Sequence, residues 1–199
     1  MSARVLTSVR WSQWCLAFFS VICIALHPGF VLKWDEAGFS NYGIHIKTAI
    51  PYSLAFLGCA FFVLRAARVL IGLKSSTRHL AMMLTLYGVL MCATLVSTYG
   101  YTLNHSLKNV HTIVGIVTMV FEPLASVWMY WRLRRTAWTR TLLVLELAGL
   151  AVGAIDYFAI LHVLFLAQVL TAFAFGALLV RSAGRLDEVH SPAKSVFSQ

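Results

Sequence analysis

The chain has 199 residues, of which 60% are hydrophobic and only 12% charged, and its mean hydropathy is +0.80. A water-soluble domain of that length would carry large exposed apolar patches, so a soluble enzyme or binding module is excluded. The net charge of +9 does not point to nucleic acid, because the Lys and Arg residues fall between apolar runs, where they act as topology signals.

The opening MSARVLTSVRWSQWCLAFFSVICIAL runs from basic to apolar as a signal peptide does. No small-x-small cleavage site follows it, so a retained first span over about Trp11–Phe30 is expected. Trp11 and Trp14 suit an interfacial aromatic belt, and His27, Pro28 and Gly29 mark the far end. A polar loop with Asp35, Glu36, Asn41 and Tyr42 follows, long enough for a short surface helix or lid. Span two is expected over about Ile46–Leu73, with His45, Thr48, Tyr52, Ala55 and Cys59 sharing one face. Pro51 lies in its first turns, where proline is tolerated.

Span three is expected over about Leu80–Leu103, with Thr85, Gly88, Cys92, Tyr99 and Thr102 along one side, and span four over Val110–Arg132. Span five, about Thr141–Ile155, aligns Glu146, Gly149, Gly153 and Asp156 at steps of three and four. Its Gly149/Gly153 pair is a GxxxG pattern that permits close helix approach. Span six, about Ala159–Val180, follows after a hairpin that dips below the surface or thins the bilayer. Residues 1–182 therefore form the membrane domain, and the polar, aperiodic segment 183–199 reads as a disordered tail. The fold class expected is all-α, a six-helix transmembrane bundle. Thirteen of the sixteen Lys and Arg residues fall on one side of it, and only Lys33, Lys47 and Lys108 on the other, which places both termini in the cytoplasm. Cys15, Cys23, Cys59 and Cys92 lie inside apolar runs without a CxxC pair and read as small buried side chains.

Glu122, beside Pro123, is the residue that needs explaining. It lies about 16 Å from His111 and about 15 Å from Arg132 by helical rise, which is the midplane of a bilayer core about 30 Å thick. A carboxylate there costs on the order of 2.5–3.5 kcal/mol on insertion scales, so it faces protein or water, takes a proton or finds a cation. His111, Gly115, Thr118, Glu122, Ser126 and Met129 share one helical face, while Ile113, Val117, Val120, Leu124 and Val127 form a lipid-like face opposite. Glu122, Glu146, His111 and Asp156 on facing small-residue stripes can line a polar cavity for a proton, a cation or a lipid headgroup. His162 and Tyr99 complete the candidate ligand-binding set.

The topology also sets His27, His45, His105, His111 and His162 at one level near the non-cytoplasmic surface. The plain account is that histidines at helix ends tolerate half-wet surroundings. A zinc site on His105, His111, His162 and Asp156 is a second account, with a hydrolase of interfacial lipid as its consequence, but no HExxH-like spacing supports it. A b-type haem between two histidines of facing helices is a third, and implies an electron carrier. No half-repeat relates spans one to three with four to six, against an alternating-access transporter.

The layout, with SNYG at Ser40–Gly43 and LNHSLKNVHTIVG at Leu103–Gly115, resembles small bacterial six-span membrane proteins of unknown function and the DRAM-like six-span family. Ser40 and Gly43 match the first-loop motif and His111 the span-opening histidine. The resemblance implies a multi-pass membrane protein whose biochemical role is mostly unassigned, and it transfers no catalytic residue; the location expected is the cytoplasmic membrane of a bacterium. Expected partners are membrane lipids and possible further membrane subunits. The role expected is non-enzymatic: an outward-opening cavity for a lipid or small ligand, or a place in a membrane assembly.

Overall fold

In the computed structural model, residues 2–32, 38–72, 77–133, 136–157 and 164–190 are described. Among them the secondary structure is all helical. The long helices are α1 (Ser2–Leu26), α4 (Ala49–Ile71), α5 (Arg78–Leu103), α6 (Lys108–Arg132), α7 (Ala137–Tyr157) and α8 (Leu164–His190). Between α1 and α4 lie two single turns, α2 (Gly29–Leu32) and α3 (Asn41–Ile44), and a 3-10 turn at His105–Leu107 joins α5 to α6. The six long helices have the length and apolar content to cross a membrane, so the chain is a multi-pass membrane protein in contact with lipid.

Consecutive long helices pack on one another, and α8 returns to contact both α1 and α6. The result is a ring of α1, α4, α5, α6 and α8, with α7 outside it against the α6–α8 seam. This arrangement follows from which stripes are polar or small. On α6, Glu122, Ser126 and Met129 are buried, whereas Ile113, Val117, Val120 and Leu124 are exposed, which is the division expected from their spacing. On α7, Thr139, Leu142, Glu146, Gly149, Gly153 and Asp156 form one buried stripe. A Cβ on Gly149 would come within 3.1 Å of the Ala167 carbonyl oxygen and 3.2 Å of the Thr171 amide nitrogen, so the GxxxG pair does set a backbone-close contact with α8. At Gly153 the obstacle is the flexible end of Met119.

Three expectations shift. The first helix starts at Ser2 rather than near Trp11, and α8 runs to His190, beyond both Val180 and the start expected for the tail at residue 183. The two extensions support each other: Val5 and Val9 are fully buried, Ala183 is buried, and Gly184 lies near Leu6. That contact also places the two ends of the chain on one side of the bundle. Residues 191–199 lie outside the described residues. On α5 the buried stripe is Leu80, Leu84, Tyr87, Met91, Leu95 and Thr98; of the expected line Gly88 is buried, while Thr85, Cys92 and Tyr99 are half-buried. Because α5 is sandwiched between α4 and α6, it buries a wider arc than its small and polar residues mark.

The first inter-span connection is a packed plug. Asp35 and Glu36 lie outside the described residues, but Tyr42 is fully buried among the rings of Phe30, Phe39 and Phe165, at centroid distances of 5.2, 5.4 and 6.1 Å. The Thr48 hydroxyl donates to the Tyr42 carbonyl at 2.6 Å and thereby turns the chain from α3 into α4.

Candidate functional site

Between the ring helices lies a partly open cavity of about 170 Å³. An apolar cavity of roughly 150 Å³ accommodates benzene, so the space suits a small group or the end of a chain. Every ring helix contributes to its wall, from Ser20 on α1 to Gln168 on α8, and Phe39 and Ser40 of the plug close one end. Most of the wall is apolar. Most of its polar groups are placed by α5, α6 and α8, and a largely apolar wall with a few polar groups is an arrangement typical of ligand sites.

His111 and Glu122 both line the cavity, three turns apart on the α6 face that includes Gly115 and Thr118. The Ser97 hydroxyl lies 3.1 Å from His111 Nδ1, and the Tyr101 ring stacks parallel to the imidazole at 6.1 Å. The imidazole is thus held from α5 on two sides. Below it Thr94 and Thr118 approach to 3.4 Å. Across the cavity, Gln168 Oε1 accepts the Phe39 N–H at 2.7 Å, which ties the plug to α8. Beside the plug, Tyr52 and Thr98 are joined by a hydroxyl–hydroxyl bond of 3.1 Å. A Cβ on Gly43 would come within 2.6 Å of the Tyr52 ring and 2.7 Å of Thr98 Cγ2. That is the physical reason for glycine in the SNYG segment.

Glu122 is 6% exposed, and Tyr87, fully buried, lines the cavity with it. Behind this floor, Glu146 of α7 is fully buried and within electrostatic reach of Glu122 and of the Ser126 hydroxyl. Both Glu146 oxygens and Ser126 Oγ are buried and unbonded among the described residues.

The remaining expected site residues are dispersed. The Tyr99 hydroxyl pairs with Ser53 at 2.7 Å and donates to the Ala49 carbonyl at 3.0 Å, at the α4–α5 seam away from the cavity wall. Asp156 is buried at the end of the α7 stripe and does not line the cavity. His162 and the side chain of His105 lie outside the described residues, so of the expected metal ligands only His111 and Asp156 are placed. Among the described residues no three His, Cys, Asp or Glu side chains gather in a metal-binding group. His27 and His45 do meet, edge to face at 4.3 Å, beside Phe30, and neither lines the cavity.

Sequence reasoning missed Tyr87, Thr94 and Ser97. The 80/84/87/91 spacing on α5 carried the signal for Tyr87. Thr94 and Ser97 face α6 rather than α4, a choice that spacing alone does not make.

No protein family, curated protein or solved structure matches the chain.

Proposed function

We propose that this membrane protein is a non-enzymatic binder that holds a lipid or small ligand in the cavity between α1, α4, α5, α6 and α8. The observation that carries the reading is that His111 and Glu122, the two ionisable residues of the α6 stripe, line one partly open and otherwise largely apolar space. Such a space favours an amphiphile whose polar part reaches Glu122 and His111 while its apolar part lies along Phe56, Met91 and Phe165. The basic turns favour an orientation in which this half of the bundle faces away from the cytoplasm, in the cytoplasmic membrane of a bacterium. The DRAM-like resemblance belongs to the same proposal, with Ser40, Gly43 and His111 as the residues that carry it.

The test is Glu122→Gln in protein extracted with its lipids and analysed by native mass spectrometry. The isosteric amide keeps the packing and removes the acid. A bound species seen with the wild type should fall in occupancy, with affinity weakened by roughly tenfold or more, as for loss of one charge-assisted hydrogen bond. Equal occupancy and affinity in the two proteins would overturn the reading.

A further inference from the structure

We propose that the groove between the first turns of α1 and the second half of α4 is a binding site for one anionic phospholipid, taken from the leaflet on the side of the two chain ends. No residue lines both this groove and the cavity between the helices, so the proposal does not need the cavity to hold an amphiphile.

The groove has a volume of about 390 Å³. From α1 it takes Arg4, Thr7, Ser8 and Trp11, which recur at steps of three and four and so share one helical face. From α4 it takes Phe62 and Arg65. The Trp11 and Phe62 rings stack at 6.3 Å and 25° and bridge the two helices at one end of the groove. Contacts of Cys23 with Thr48, of Cys15 with Gly58 and of Trp11 with Phe62 step in opposite directions along the two helices, which are therefore antiparallel. Arg4 lies about 10 Å before Trp11 along α1, and Arg65 about 4.5 Å after Phe62 along α4. Both arginines are thus displaced from the ring pair toward the same end of the bundle, the end where Leu6 lies near Gly184.

The groove is therefore cationic toward the membrane surface and aromatic toward the membrane interior, which is the order of a phospholipid read from phosphate to acyl chain. Guanidinium groups match phosphate oxygens in a planar fork, and basic pockets between spans attract anionic headgroups. Neither α1 nor α4 carries an acidic residue, so nothing on the two helices that build the groove offsets its positive charge. The hydroxyls of Thr7 and Ser8 can donate to the remaining phosphate or glycerol oxygens. Trp11 is 54% exposed, and an indole at headgroup depth presents an apolar face to the first carbons of a chain. A free anion would engage only the arginine end. The exposed ring pair is what selects a molecule with an acyl chain.

The experiment uses the purified full-length protein in detergent and reads its thermal unfolding midpoint as lipid is added, since a ligand of the folded state raises that midpoint. The probes are dioleoylphosphatidylglycerol and dioleoylphosphatidylcholine, which share their acyl chains and differ in headgroup charge. The wild type is expected to reach half its full shift at a roughly tenfold lower mole fraction of the anionic lipid. Arg4→Gln combined with Arg65→Gln should abolish that preference. Arg78→Gln combined with Arg140→Gln removes two exposed arginines outside the groove and should keep it. All four side chains are exposed, so these replacements take no packing from the core. Sodium phosphate in place of NaCl at constant ionic strength should leave the midpoint unmoved. The proposal is overturned by a wild type without preference, by a preference that survives in the groove variant or is lost equally in the distant one, or by inorganic phosphate reproducing the shift. Glu122→Gln should leave the preference in place whatever it does to occupancy of the cavity, so the two readings fail separately.

Discussion

Glycine at position 43 is dictated by its neighbours. The Tyr52 ring and the Thr98 methyl occupy the space of a side chain there, and those two residues bond to each other at 3.1 Å. Gly43→Ala must therefore push two fully or nearly fully buried groups apart. It should lower stability by about 1–3 kcal/mol, the range for overpacking, measured as a reduced thermal midpoint in detergent. Tyr52→Phe removes only the hydroxyl and should cost about 1 kcal/mol. If Gly43→Ala were the milder of the two, the plug would not be packed as described. Glu122 is the residue most legible from the sequence, because an acid at membrane depth has few possible surroundings. Glu146 was legible as a member of a stripe facing that of Glu122, but its place outside the cavity wall was not, because no single-helix periodicity says which helix stands outside the ring.

Among the helices, legibility followed whether the buried stripe is built of small and polar residues. On α6 and α7 it largely is, and their spacing marked it. On α5 the large residues Leu84, Tyr87 and Met91 are buried along with Gly88, while Thr85, Cys92 and Tyr99 of the expected line are only half-buried. The ends of α1 and α8 were misplaced for a related reason. Each terminal turn is too polar to read as membrane-spanning, and each is held by the other through pairs such as Leu6 and Gly184. The α7–α8 contact yields a paired prediction. Gly149→Ala sets a methyl against helix backbone and should destabilise by about 1–3 kcal/mol. Gly153→Ala meets only the movable end of Met119 and should cost clearly less. Comparing the two unfolding midpoints checks this, and equal losses would mean that α7 docks otherwise.

For the molecule as a whole, the six-helix class was readable from hydropathy and loop charge, whereas the closed ring with one helix outside it was not. Hydropathy counts spans without ordering them in space. An even number of crossings, with Leu6 close to Gly184, puts both chain ends on one side. The distribution of Lys and Arg predicts that this side is the cytoplasm. A fluorescent reporter that matures only in the cytoplasm, fused after Gln199, should light up, and alkaline phosphatase fused at the same point should stay inactive. The reverse pattern would place the cavity on the opposite side of the membrane.

α8 is the stave that joins α6 back to α1, and it carries Phe165, Gln168 and Thr171 of the cavity wall. A chain truncated ahead of Leu164 therefore keeps five of the long helices but is expected to lose the bounded space between them.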